Sequence, residues 1–72
     1  MLSSELIIKV NGVNTRKDAS KIRKELGNIE CVKSVKVSLK SKKVTLIHKK
    51  TINVLEIEKL INSLGYKYIG VE

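Results

Sequence analysis

The period of the apolar residues switches between two and three-to-four along this chain, and the order of the switches leaves few folds open. Residues 5–10 are rich in branched side chains and read as a strand, which Gly12 and Asn14 break. Ala19, Ile22 and Leu26 then recur at helical spacing, predicting a helix over residues 16–26 with Gly27 as its C′ residue. Residues 32–39 alternate, Val35, Val37 and Leu39 against Ser34, Lys36 and Ser38. After the polar turn Lys40-Ser41-Lys42, residues 43–49 alternate again, with Val44, Leu46 and His48 on one face. These two segments predict a hairpin. Val54, Ile57, Leu60, Ile61 and Leu64 form the stripe of a second helix. Asn53 is its N-cap, Glu56 stands at the capping-box position, Ile52 and Ile57 hold the staple positions, and Gly65 ends it. Residues 66–71 make a last strand. The order β-α-β-β-α-β predicts an α+β, ferredoxin-like sandwich: a four-stranded antiparallel sheet, strand order 4-1-3-2, with two helices on one face.

Seventy-two residues make one domain, 1–72, with a thin core. Fifteen Lys and Arg against seven Asp and Glu give a net charge of +8. That field favours an acidic protein face, nucleic acid or anionic lipid. A lysine-rich surface that only keeps a small protein soluble is the plainer alternative. Cys31 is the sole cysteine, so no internal disulfide forms, and a lone thiol suits a reducing cytosol. The run Leu6-Ile7-Ile8 is too short for a signal peptide or a membrane span. The expectation is a cytoplasmic protein without membrane insertion.

Three pieces of sequence carry a resemblance. Ile8-Lys9-Val10-Asn11-Gly12-Val13 is a strand ending in glycine, Cys31-Val32-Lys33-Ser34-Val35-Lys36-Val37 is a second strand, and Gly65-Tyr66 is a late pair. In this order and spacing the chain resembles the heavy-metal-associated domain of copper chaperones and metal-pumping ATPases, from about residue 6 to 68. That family runs strand, Gly-Met-x-Cys-x-x-Cys, helix, then Gly-Val-x-x-Val-x-Val and a late Gly-Tyr or Gly-Phe. The resemblance implies Cu(I) or another soft metal as cargo. Carried over by position, however, the two thiolate ligands fall on Thr15 and Asp18, and Cys31 stands where glycine is usual.

Thr15 and Asp18 offer oxygens only. An oxygen pair does not hold Cu(I) tightly, and on an exposed loop it holds Mg²⁺ or Ca²⁺ poorly. The same residues have the form of a capping box: Thr15 as N-cap accepting the Asp18 N–H, and Asp18 reaching back to the Thr15 N–H. A carboxylate in the first turn also suits the helix dipole. The expectation is a helix cap in place of a metal loop, with no cofactor.

Cys31 and His48 lie at the end of the fold opposite Thr15. If Val37 pairs with Val44, His48 faces Lys33, and two ligands among lysines make only a weak metal site. Tyr66 corresponds to the aromatic that flanks the metal loop in the family and is expected to pack on the first loop. Tyr68 is expected to face the helices. Ile7, Ile47 and Ile69 fall on the outer sheet face beside Lys9, Lys36, Lys43 and Lys49, a candidate partner or dimer contact. Arg16, Lys17, Lys21, Arg23 and Lys24 cover the first helix. The resemblance implies that such a basic helical face docks acidic domains.

Three functions follow in order of preference. The first is a protein-interaction or regulatory module related to metal transport, with a degenerate metal loop and an acidic domain or a second copy as partner. The second is a metallochaperone with weak or unconventional metal binding. The third is non-specific nucleic-acid binding. Specific recognition of bases is disfavoured because the chain has no Phe, no Trp and only Tyr66 and Tyr68. No paired-carboxylate cleft, phosphate loop or nucleophile with a base is legible, so an enzyme is not expected.

Overall fold

A computed structural model describes residues 4–72, so residues 1–3 of the expected domain lie outside the described residues. The elements are β1 (Ser4–Asn11), α1 (Arg16–Gly27), β2 (Val32–Ser38), β3 (Lys43–His48), α2 (Val54–Ser63) and β4 (Lys67–Val71). The four strands form one antiparallel sheet in the order β2-β3-β1-β4, as the sequence predicts. Alternation turns Ile8, Val10, Val44 and Leu46 inward, where all are buried. Ile22 and Leu26 of α1, with Ile57 and Ile61 of α2, close the core from above. α1 lies over β2, α2 lies over β4, and the helices touch along their common flank.

Several local expectations are corrected. Gly27 is not a left-handed C′ residue. It is the last residue of α1, and the cap is Asn28, in right-handed conformation, whose N–H reaches the carbonyls of Glu25 and Leu26. Gly65 does take that role for α2. With φ +96 it follows the cap residue Leu64, donates to the Asn62 carbonyl at 3.1 Å, and lets Tyr66 N–H reach the Ile61 carbonyl at 3.3 Å. This is a Schellman ending, which fixes where Tyr66 leaves the helix. Asn53 caps α2 through the Leu55 N–H at 3.0 Å, one residue short of Glu56, which contributes its charge to the first turn. Within the α2 stripe only Ile57 and Ile61 are fully buried. Val54, Leu60 and Leu64 are half-buried, because a helix lying over an edge strand covers its flanks incompletely.

His48 does not face Lys33. Val37 does pair with Val44, but a bulge between Val32 and Ser34 shifts the register and sets His48 opposite Val32. His48 is buried, its Nδ1 2.5 Å from the Lys50 carbonyl.

Candidate functional site: the capped loop and its cationic flank

β1 delivers the chain to a loop, residues 12–15, that is tied down at three points. Gly12 has φ +95, a conformation few residues with a side chain adopt, and a Cβ there would stand 3.6 Å from Tyr66 Cδ1. Val13 turns back into the core and is 1% exposed. Thr15 has extended backbone and begins α1 as its N-cap. The expected capping box is formed. Thr15 Oγ1 accepts the Asp18 N–H at 3.2 Å, and Asp18 Oδ2 accepts the Thr15 N–H at 3.3 Å.

Asp18 does more than cap. Oδ2 also accepts the Asn14 N–H at 3.3 Å and the Thr15 hydroxyl at 3.1 Å. Oδ1 accepts the Tyr66 hydroxyl at 2.8 Å. One carboxylate thus takes donors from the loop, from the helix start and, 48 residues later, from the residue that precedes β4. Three of its four donors converge on Oδ2 and one reaches Oδ1, so both oxygens are engaged within the fold. Lys21 Nζ lies 5.9 Å from the centre of the Tyr66 ring, close enough for a cation–π contact.

The charges answer to this geometry. The Tyr66 hydroxyl first, then the Asn14 amide and, more weakly, the Thr15 hydroxyl and amide, hold the Asp18 carboxyl below its ordinary value, while desolvation opposes them. Burial pushes the Tyr66 hydroxyl up, and the neighbouring carboxylate adds to the shift. A lowered carboxyl contributes stability above its unfolded pKa, about 3.9, and loses it as pH falls through the lower folded value. The stability gap between wild type and Asp18→Asn is therefore full at neutral pH and narrows below about pH 4. Glu72, held down by Lys43, acts with the same sign in both proteins and cancels in that comparison. Urea midpoints across the acid range test this, and a gap that stays constant to the acid end contradicts it. Thr15→Ala removes the cap hydroxyl and should cost about 1 kcal/mol at pH 7 in the same assay.

Among the described residues no group of three or more His, Cys, Asp and Glu is placed to hold a metal ion. Thr15 and Asp18 do not fit a soft ion, both by donor chemistry and because their oxygens are already engaged. Cys31 is half-buried near Glu30, Lys49 and Lys50, and its carbonyl accepts the Lys49 N–H at 2.9 Å.

Arg16, Lys17, Lys21, Arg23 and Lys24 are all exposed. Helical spacing divides them. Lys17, Lys21 and Lys24 lie on the outer face, while Arg16 and Arg23 flank a groove floored by Ala19, Val37 and Leu39. On the outer sheet face the register sets Ile7 opposite Thr45 and Ile47 opposite Glu5 and Ser34. A bulge pairs Val10 with Tyr68 and Lys9 with Gly70, leaving Ile69 as the extra residue beside Lys9. The three isoleucines therefore run diagonally, with polar side chains at the directly paired positions. Ile7 and Ile47 are half-buried, and Ile69 is 49% exposed. Lys43 and Glu72 form an ion pair that reaches across β1 on this face.

Sequence reading missed the Tyr66–Asp18 bond, the buried anchor Val13 and the β4 bulge. An apolar residue between Gly12 and Asn14 is the signal for the anchor. The bond joins residues too distant in the chain for spacing to reveal.

No protein-family model matches the sequence, and no curated protein matches it. Solved structures do. The CopZ metallochaperone superposes with a TM-score of 0.86 at 25% identity, over 92% of this chain and 100% of that one. The N-terminal soluble domains of Bacillus subtilis CopA give 0.81 at 25% identity, over 94% of this chain and 47% of that one. The yeast copper transporter domain Ccc2a gives 0.87 at 18% identity, over 94% of each chain, a likeness of fold alone. The molecule is an open ferredoxin-like sandwich. Within that class it has the fold of the heavy-metal-associated domain, with Thr15 and Asp18 capping the helix that follows the first loop. No helix among the described residues is long and apolar enough to cross a membrane.

Proposed function

We propose that the chain is a cytoplasmic protein-interaction or regulatory module related to metal transport, a heavy-metal-associated domain whose metal loop has been converted into a closed helix cap. The carrying observation is the Asp18 carboxylate, both of whose oxygens accept hydrogen bonds from Asn14, Thr15 and Tyr66. A metal ion there would compete with these donors and gain only hard oxygen ligands, which suit a soft ion poorly. Metallochaperones, a copper binding domain from a P-type ATPase and a zinc(II) ATPase domain share the fold, which supports a place near metal transport. The exposed cations of α1 support an acidic protein domain as partner.

The alternative of a metallochaperone with unconventional ligands has the neighbours' fold behind it but, among the described residues, no group of three or more His, Cys, Asp and Glu to hold an ion. Non-specific nucleic-acid binding has the charge behind it. Stacking of bases does not, because Tyr66 is bonded to Asp18 and Tyr68 packs against the core.

Titrating the labelled chain with an acidic heavy-metal-associated domain of a transport ATPase, followed by NMR, tests the proposal. Amide shifts are expected along Arg16, Lys17, Lys21, Arg23 and Lys24, and they should fade as salt rises above about 0.1 M. An α1 and an outer sheet face that both stay silent at low salt overturn it.

A further inference from the structure

We propose that the groove between α1 and the free edge of β2 receives an extended acidic peptide, which adds to the four-stranded sheet as a fifth strand. This deepens the interaction-module reading and rests on it, but the two fail separately in the experiment below.

Among the described residues β2 is an outermost strand, paired on one side only, with β3. From Ser34 to Ser38 its register is regular, so alternate residues turn their backbone N–H and C=O away from the sheet. Such an edge is a template for another strand. Sheets commonly protect an edge with a bulge or a covering element. Here the bulge is confined to the start of β2, at Val32 and Ser34, and among the described residues no strand pairs with the outer side of the regular part.

The neighbourhood of that edge has the form of a peptide groove. α1 stands along it as a wall, and Ala19, Val37 and Leu39 make an apolar floor. Val37 and Leu39 point to the helix side but are only half-buried, so α1 leaves them partly uncovered. Arg16 and Arg23, seven residues apart and both exposed, mark the wall with guanidinium groups. Among the described residues no carboxylate lines the groove. The two acidic residues of α1, Asp18 and Glu25, fall by helical spacing on the opposite flank, and the bond from Asp18 to Tyr66 fixes that flank toward β4. On the outer face the same edge presents Lys36 between Ser34 and Ser38.

An added strand meets cations on both of its faces. Side chains turned inward lie over Val37 and Leu39 beneath Arg16 and Arg23; those turned outward lie beside Lys36. An acidic–aliphatic alternation therefore sets its carboxylates beside cations in either register, while main-chain hydrogen bonds to β2 supply the pairing. The occupant is an extended peptide rather than a folded domain because a groove walled by a helix admits one strand.

The probe is a blocked hexapeptide alternating glutamate and valine, titrated into the labelled chain. Its control has proline at alternate positions, keeping the charge and removing the strand-pairing amides. Saturable shifts are expected at the amides of residues 34–39 and on the Arg16–Arg23 side of α1. The outward amides of β2 should exchange more slowly with solvent. The proline control should not saturate. Arg16→Glu with Arg23→Glu, both exposed and the first favourable to the helix dipole, should fold normally and weaken the peptide by about tenfold or more. Equal binding of the proline control overturns the proposal, as it reports charge adhesion without strand addition. So does displacement of the peptide from this groove by oligouridine at matched charge, which reports a nucleic-acid site. Shifts along α1 with an acidic folded domain, but a silent β2 with the peptide, sink this inference and leave the module reading standing. Peptide capture by β2 in a chain that also binds Cu(I) tightly at its first loop does the reverse.

Discussion

Changing Thr15 and Asp18 together to cysteine is expected to raise Cu(I) affinity by several orders of magnitude over the natural chain, under anaerobic competition with a chromophoric chelator. The two positions sit at the N-cap and the third helical residue of α1, on a loop already fixed by Gly12, the buried Val13 and the helix start. The backbone frame matches that of the CopZ metallochaperone over nearly the whole chain. What the natural chain lacks is therefore donor chemistry, not position. Two thiolates suit a soft ion and two oxygens do not. The substitution costs the capping box, about 1 kcal/mol, and frees the Tyr66 hydroxyl. Each single cysteine variant should bind far more weakly than the pair. A double variant that binds no better than the natural chain would show that the loop itself, and not its side chains, has moved away from a metal-binding shape.

The second large effect is on stability. Ile57→Ala should cost about 2–5 kcal/mol, because Ile57 is 0% exposed in the centre of α2 and close packing leaves a cavity when its side chain is removed. A domain of this size has total stability on the order of 5 kcal/mol, so most of it is lost. A fall in Tm of roughly 10–30 °C follows. Leu55→Ala, two residues away on the same helix, should change Tm little, since Leu55 is 55% exposed. Thermal unfolding of the two variants side by side separates burial from helix propensity. Similar losses for both would mean that α2 does not pack as described.

The architecture was legible because each element has a short, uninterrupted period. The stripe Ala19, Ile22, Leu26 and the alternation Val35, Val37 against Ser34, Lys36 leave one arrangement of layers, and the sheet order follows from it. The capping box at Thr15 and Asp18 was legible for the same reason: it is local, and its residue types and spacing state the hydrogen bonds. Register was less legible. The bulge that sets His48 opposite Val32 and the one that leaves Ile69 unpaired depend on how strands meet, not on either strand alone. Gly27 and Gly65 show the limit of composition: both follow an apolar stripe, but only Gly65 takes a positive φ. The tie from Tyr66 to Asp18 was out of reach, because it needs the last strand folded beside the first loop.

The most direct measurement is an anaerobic Cu(I) titration of the natural chain, followed by NMR at the Thr15 amide, the Asp18 side chain and the Tyr66 ring. With these groups satisfied by one another, their signals should stay in place through one equivalent of metal in the presence of a competing chelator, any weak response being confined to Cys31 and His48. Saturating shifts at Thr15 and Asp18, accompanied by loss of the Tyr66 contact, would mean that the oxygens close a metal site and not a helix.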